Sequence, residues 1–174
     1  MEKHDFKLII GLGNPGDRYS NTYHNIGSRV VTIMVGNKGF TRPFSVFKGK
    51  PFEYIKRGPI TYIRPLTFMN ESGKAVYAAL KYFGGTPDDI LIVHDDSDIG
   101  VGSYKFSRAG GSAGHNGIKS IIEHLKTENF WRLRMGIRGG HTEKAGDFVL
   151  RKISPEDEIK LNKTILEIQT AYEE

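Results

Sequence analysis

The chain has 174 residues, which suits a single domain spanning 1–174 and leaves no room for a nucleotide domain beside a separate substrate domain. It contains no cysteine, so disulfides and thiolate metal sites are excluded, and it has no apolar run long enough to span a membrane. The net charge of +5 is compatible with a polyanionic partner. The N-terminal sequence does not resemble a signal peptide, so we expect a cytoplasmic protein.

Hydrophobic periodicity and turn residues predict alternating strands and helices. In chain order, the predicted elements are a strand over Phe6–Ile10, a helix over Ser28–Val35, strands over Phe52–Lys56 and Ile60–Arg64, a helix within 70–85, a strand within 88–96, a helix within 115–127, a strand within 131–139 and a helix over 154–174. Interleaving of this kind predicts an α/β fold: a single domain with a mixed, mostly parallel central sheet flanked by helices. The Gly58-Pro59 turn accounts for the antiparallel part.

The first predicted strand is followed by Gly11, Gly13 and Gly16 in G-x-G-x-x-G spacing. A dinucleotide site also needs a helix that starts inside the glycine run and an acid about 20 residues further on. Here Asn14-Pro15-Gly16 is typical of a turn, and no acid occurs between Arg18 and Phe52. The pattern therefore disfavours a dinucleotide-binding enzyme.

Polar residues follow several predicted strands or begin the helices after them. Because ligands of open α/β sheets bind beyond the carboxyl ends of strands, these residues would meet at one crevice if the strands run parallel. The residues in question are Asn14, His24, Asn70, Asp95 and Asn116. Each also has an ordinary structural explanation: the asparagines as turn or cap residues, His24 as a surface histidine and Asp95 as a solvated strand end.

Taken together, the set suggests hydrolytic chemistry. A neutral imidazole paired with a carboxylate, here His24 with Asp95, can take a proton directly from water. Neither a cysteine nor a G-x-S-x-G serine is present as a nucleophile. Asparagine side chains donate and accept hydrogen bonds as peptide groups do, so the three amides suit a substrate that contains peptide groups.

A metal site is the competing interpretation of "HDDSD" at 94–98, where Asp95, Asp96 and Asp98 offer oxygen ligands for Mg²⁺. The calcium-loop pattern is not met, because Gly100 is misplaced and no glutamate follows at the required position. We therefore expect no metal.

These motifs resemble the bacterial peptidyl-tRNA hydrolase family over nearly the whole chain. The resemblance rests on "GLGNPG" with "HN" at 24–25, "FMNESGKAV" at 68–76, "HDDSD" at 94–98, "GHNG" at 114–117 and "LRMGI" at 133–137. It implies hydrolysis of the ester between a peptide and the 3′ end of tRNA, without metal or organic cofactor, by a cytoplasmic monomer. The sequence departs from the family pattern at Glu71, Ser97 and Ser112-Ala113.

The resemblance also implies roles for individual residues. His24 would be the catalytic base and Asp95 its orienting partner. Asn14, Asn70 and Asn116 would position the peptide and the attacking water, with Asn14 or Asn70 as a donor to the oxyanion. Crevice walls would come from Tyr19 and Met69, and the 5′-phosphate of the tRNA acceptor stem would be held by Lys105 and Arg134.

An RNA-binding protein that uses this fold without hydrolysis is the alternative from a different class. Binding alone has no need of a general base, so the presence of His24 and Asp95 favours the enzyme. Release of a blocked amino acid from tRNA distinguishes the two hypotheses.

Overall fold

The computed structural model describes residues 5–36, 45–46, 49–140 and 142–173. Within them, seven strands form one sheet. The strands are β1 (Leu8–Gly11), β2 (Ser45–Val46), β3 (Phe52–Arg57), β4 (Ile60–Pro65), β5 (Ile90–Gly100), β6 (Tyr104–Arg108) and β7 (Trp131–Arg138). Their order across the sheet is β2-β3-β4-β1-β5-β7-β6.

The central strands β4, β1, β5 and β7 are parallel, whereas β2, β3 and β6 pair antiparallel at the two edges. The predicted α/β class with a mixed sheet is therefore confirmed. The predicted hairpin is confirmed as well, since β3 and β4 pair directly across the turn that contains Gly58. Because the central strands are parallel, their carboxyl ends lie at the same edge of the sheet.

The described helices are α1 (Ile26–Gly36), α2 (Ser72–Phe83), α3 (Asn116–Leu125), α4 (Ala145–Phe148) and α5 (Pro155–Glu173). Ser154 caps α5, because its Oγ accepts a hydrogen bond from the backbone N–H of Asp157 at 3.2 Å. No helix in the described ranges combines the length and the apolar character needed to cross a lipid bilayer.

Side chains alternate across β1 and create a hydrophobic core on each face of the sheet. Ile9 packs on the face covered by α1 and α5, while Leu8 and Ile10 pack on the face covered by α2 and α3. The sheet is thus the middle layer of three, as expected for strands that are buried on both sides.

Three short elements were not predicted: β2, β6 and α4. β6 is a five-residue edge strand without a fully buried side chain. Its apolar residues, Tyr104 and Phe106, alternate with polar ones, a strand signal that the sequence analysis did not include. β2 has two residues and α4 has four, too few for a periodic pattern. β6 matters for the site, because it carries Lys105.

Candidate active site

His24 is held where the chain passes from β1 to α1. Its backbone N–H donates to the carbonyl oxygen of Val149 at 2.8 Å. α1 begins two residues after His24, and it packs closely on β5. A Cβ at Gly27 in its first turn would lie 2.1 Å from the carbonyl oxygen of Val93. Only glycine allows this approach, and it brings the start of α1 next to the part of β5 that continues past the end of β1, where Asp95 lies.

His24 and Asp95 form a buried pair. Nδ1 of His24 lies 2.9 Å from both carboxylate oxygens of Asp95. The exposed fraction is 8% for His24 and 3% for Asp95, so neither the surface-histidine nor the solvated-acid explanation holds. Because Nδ1 donates to the carboxylate, the lone pair of the imidazole is on Nε2. Nε2 has no hydrogen-bond partner in the part of the chain that the structure describes.

Asp95 has a second histidine partner, His115, which the sequence analysis did not single out. Nε2 of His115 lies 2.9 Å from Oδ1 of Asp95. Nδ1 of His115 accepts the backbone N–H groups of Gly117 and Ile118 at 3.1 and 3.3 Å and caps α3. Since these donors occupy the Nδ1 lone pair, the proton of the neutral ring is on Nε2 and is donated to Asp95.

The two histidines keep Asp95 ionised. Burial by itself would raise the pKa of the carboxyl group, but the hydrogen bonds and charge interactions with His115 and His24 outweigh it, so the pKa lies well below its usual value. A buried carboxylate that stays charged can fix the orientation of His24 and stabilise the imidazolium that forms when His24 accepts a proton.

A third histidine, His94, packs behind this cluster. Its ring centre lies 4.8 Å from that of His115, and its Nδ1 lies 2.7 Å from the carbonyl oxygen of Asp95. Burial and the neighbouring His115 lower the pKa of His94 to about 3, although Asp95 acts in the opposite direction. His94 is therefore neutral near pH 7 and supports the cluster as an uncharged ring.

Asn14 is fixed by long-range hydrogen bonds. Its backbone N–H donates to Oδ1 of Asn25, and its carbonyl oxygen accepts from Nδ2 of Asn25, both at 2.9 Å. Its side-chain Oδ1 accepts the backbone N–H of Met69 at 2.8 Å. Asn14 is therefore not a local turn residue, and its Nδ2 group remains to donate elsewhere. Asn25, which clamps Asn14 from the position next to His24, is a second residue that the sequence analysis missed.

The other predicted crevice residues cluster around Met69. A Cβ at Gly117 would lie 2.6 Å from the sulfur of Met69, so the turn containing Met69 and Asn70 abuts the start of α3. The ring of Tyr19 packs edge-on against Phe68, with 6.3 Å between ring centres. Asn70 and Asn116 are exposed, and neither is the N-cap of its helix: those positions are Glu71 and His115.

A cavity of about 400 Å³ opens beside the histidine cluster. The predicted residues that line it are His24, Asp95, Asn116 and Arg134. Its outer wall is the glycine-rich segment 109–114, whose Gly111 carbonyl oxygen accepts a hydrogen bond from Nη1 of the buried Arg132 at 2.8 Å. Asn14 and Asn70 are not part of the lining of this cavity; Asn14 is tied to Asn25, next to His24, and to Met69, next to Asn70.

Lys105 and Arg134 are neighbours across the antiparallel pair β6–β7, because their Cα atoms are directly opposed in the register. Lys105 is exposed and has no ion-pair partner among the described residues. Nε of Arg134 lies 2.6 Å from Oδ2 of Asp96. The structure therefore brings the predicted basic pair together and adds an acid to it.

The three acids of "HDDSD" do not converge on one point. Asp95 faces the histidines and Asp96 faces Arg134, as alternation along a strand requires. Among the described residues, the one group with metal-ligating atoms close together is His24, Asp95 and His115, within 4.8 Å of one another. Nε2 of His115 carries a proton in the neutral ring, so this atom has no lone pair for a metal.

Comparison of the sequence with known proteins identifies the family of this chain. The family model for peptidyl-tRNA hydrolase matches residues 8–174. Peptidyl-tRNA hydrolases from strains of Haemophilus influenzae are 39% identical over 173 residues, covering 97% of this chain and 89% of theirs.

Solved structures agree with the sequence comparison. The crystal structure of peptidyl-tRNA hydrolase from Acinetobacter baumannii superimposes with a TM-score of 0.86 at 30% identity, over 99% of this chain and 89% of that one. A peptidyl-tRNA hydrolase in complex with N-propanol gives a TM-score of 0.85 at 30% identity, over 98% and 88%. The chain therefore belongs to the peptidyl-tRNA hydrolase family, whose members are hydrolases that act on an ester bond.

Proposed function

We propose that this chain hydrolyses the ester between a peptide and the 3′ end of tRNA, as a cytoplasmic monomer that returns both products to translation. Family membership supports the reaction class. The observation that carries the mechanism is the buried carboxylate of Asp95, which accepts hydrogen bonds from His24 and His115 and leaves Nε2 of His24 as the basic atom.

In the first step, Nε2 of His24 removes a proton from water as the water oxygen attacks the ester carbonyl carbon. The imidazolium that forms is stabilised by Asp95. The tetrahedral intermediate then collapses, the bond from the carbonyl carbon to the tRNA 3′ oxygen breaks, and the proton on His24 passes to that oxygen. Peptide and tRNA leave with no covalent link to the protein, and no metal takes part.

Asn14 is our proposed donor to the oxyanion. Since its Oδ1 is occupied by the backbone N–H of Met69, the amide is oriented with Nδ2 available to donate. The clamp from Asn25 fixes the backbone of Asn14 as well. A donor held in advance in this way needs little reorganisation when the negative charge develops.

The peptide would be held by Asn70 and Asn116, with Tyr19 and Met69 as apolar walls. Both amides are exposed, and neither occupies the N-cap position of its helix, so their side chains remain for a substrate. The tRNA 5′-phosphate would be held by Lys105 and Arg134, which are side by side on β6 and β7.

The test of the function is release of the N-blocked amino acid from an N-acetyl-aminoacyl-tRNA, followed with radiolabelled amino acid. Catalytic release by the purified chain is expected. If the chain binds this tRNA and does not release the amino acid, the RNA-binding alternative is correct instead.

A further inference from the structure

Asp96 is buried beside the cavity although it does not belong to the histidine cluster. Its exposed fraction is 8%, and both of its carboxylate oxygens are engaged. Oδ2 accepts the Nε–H of Arg134 at 2.6 Å, and Oδ1 accepts the backbone N–H of Asp98 at 2.8 Å. One carboxylate oxygen is thus fixed to the backbone of its own strand, and the other holds the guanidinium group of Arg134.

This contact uses one particular edge of the guanidinium group. Arg134 is held through Nε, whereas its two Nη atoms have no hydrogen-bond partner in the described ranges. The two Nη groups present parallel N–H donors, which match two oxygens of a phosphate. The side chain of Arg134 is 25% exposed and lines the same cavity as His24.

We propose that Asp96 is a positioning residue, which holds Arg134 by its Nε so that the remaining donors face the 5′-phosphate of the tRNA. The inference rests on the proposed function, because it deepens the role given there to Arg134. Two consecutive acids of β5 then have separate roles: Asp95 orients the histidine that activates the attacking water, and Asp96 orients the arginine that binds the phosphate.

Two physical arguments support this assignment. An unrestrained arginine side chain loses much rotamer freedom when it binds, and a partner that fixes it beforehand removes that cost. Asp96 also compensates the positive charge of Arg134, so this pair would bind the phosphate mainly through oriented hydrogen bonds. The net positive charge at the phosphate site would come from the unpaired ammonium group of Lys105 on the neighbouring strand.

The experiment compares N-acetyl-aminoacyl minihelices that carry either a 5′-phosphate or a 5′-hydroxyl. The measured quantity is the ratio of the two KM values, for wild type, Asp96→Ala, Arg134→Ala and the double variant. Asp96→Ala should reduce the preference for the phosphate by roughly tenfold, the effect of one hydrogen bond to a charged group. The double variant should match Arg134→Ala alone, because both changes remove the same interaction.

Two further variants separate positioning from charge and from folding. Asp98→Asn removes the same charge from an exposed residue that lines the same cavity. It keeps the backbone N–H that Asp96 binds, so the KM ratio should stay at the wild-type value. Asp96→Asn keeps one acceptor oxygen in a side chain of the same size, and it should lie between wild type and Asp96→Ala. It also serves as the test variant if Asp96→Ala does not fold.

The outcomes distinguish this inference from the proposed function. If Arg134→Ala loses the phosphate preference while both Asp96 variants keep it, the positioning role is wrong and the phosphate role of Arg134 stands. If Asp96→Ala increases the preference for the 5′-phosphate, Asp96 weakens phosphate binding by Arg134 and does not position it. If Arg134→Ala itself has no effect, the phosphate site and the role of Asp96 are both refuted. A wild-type chain that releases nothing refutes the function.

Discussion

Oδ1 of Asp95 lies 2.9 Å from Nδ1 of His24 and also 2.9 Å from Nε2 of His115, so one buried carboxylate oxygen accepts hydrogen bonds from two histidines. The two rings are used differently. His115 has both nitrogens occupied, because Nδ1 caps α3, whereas His24 keeps Nε2 unpaired within the described part of the chain. This difference is the reason why we propose His24 as the base and a supporting role for His115.

His24→Ala should lower kcat by at least roughly 10²–10⁴-fold, the range for loss of a general base. The measurement is single-turnover release from N-acetyl-aminoacyl-tRNA, with circular dichroism to verify folding. The matched control is His124→Ala, which removes an exposed histidine near the end of α3, far along the helix from the cluster. Near-normal turnover in His24→Ala would rule out this base.

His115→Asn separates the two functions of His115. An asparagine at this position can still cap α3 through its Oδ1, but it cannot reach Asp95 as Nε2 of histidine does. We expect kcat to fall roughly tenfold, as for loss of a hydrogen bond to a charged group, with little change in the free energy of unfolding. His115→Ala should lose about 1 kcal/mol of stability in addition, because the cap is lost too. If urea titrations gave the same free energy of unfolding for His115→Asn and His115→Ala, the cap would contribute nothing to stability.

The pair of His24 and Asp95 was predictable because strand ends and turn residues are visible in a sequence. Parallel strands bring their carboxyl ends to one edge of the sheet, and this rule places both residues at the same site. His115 lies at the same predicted helix start as Asn116, but that position alone does not show which group the imidazole contacts. Its function depends on the distance to Asp95, which is 20 positions earlier in the chain.

The position of Asp96 directly after Asp95 in a strand argues against a metal site shared by the two acids. Adjacent residues in a strand point to opposite sides, so Asp95 and Asp96 could not both face one metal ion while that part of β5 remained regular. Arg134 lies on β7 directly opposite His94 of β5, two residues before Asp96 on the same strand. The sequence predicted β5 and β7 as strands but not that they pair, so the contact between Asp96 and Arg134 needed the sheet order that the structure supplies.

Activity should survive exhaustive treatment with EDTA. The acids of β5 have separate partners, and the hydrogen bonds of His115 fix a tautomer that does not bind metal at Nε2. The check is turnover before and after chelation, with metal content measured by mass spectrometry. Loss of turnover that Mg²⁺ or Zn²⁺ restores would show that a metal takes part after all.

His94 predicts how stability depends on pH. Burial lowers its pKa from 6.5 to about 3, so below pH 6.5 the unfolded chain binds a proton that the folded chain does not. This contribution is fully present above 6.5 and is lost as the pH falls toward 3, at about 1.4 kcal/mol per pH unit. The lowered pKa of Asp95 acts at more acidic pH, where carboxyl groups of the unfolded chain take up protons.

The variant that checks this is His94→Asn, which cannot titrate and keeps a donor near the position of Nδ1. Urea titrations at about pH 7 and about pH 4.5 should show a loss of stability that is smaller in the variant, by about 2–3 kcal/mol. The difference between the two pH values is compared, so any constant cost of the substitution cancels. Equal losses in the two proteins would mean that His94 is protonated in the folded state.

Lys105→Ala should weaken tRNA binding in a way that depends on salt. The ammonium group of Lys105 is exposed and unpaired in the described structure, whereas the charge of Arg134 is compensated by Asp96. Loss of one phosphate contact lowers the slope of log K against log salt concentration by about 0.7–0.9 and affects all tRNA sequences alike. The slope is measured from KM for the 5′-phosphorylated minihelix across a salt series. The control is Lys126→Ala, beyond the last turn of α3, which removes a similar exposed charge.

A lysine that merely adds to the overall charge would give the same small change of slope as the control. A lysine that serves the chemistry would lower kcat at every salt concentration, and either result would contradict a phosphate contact at Lys105.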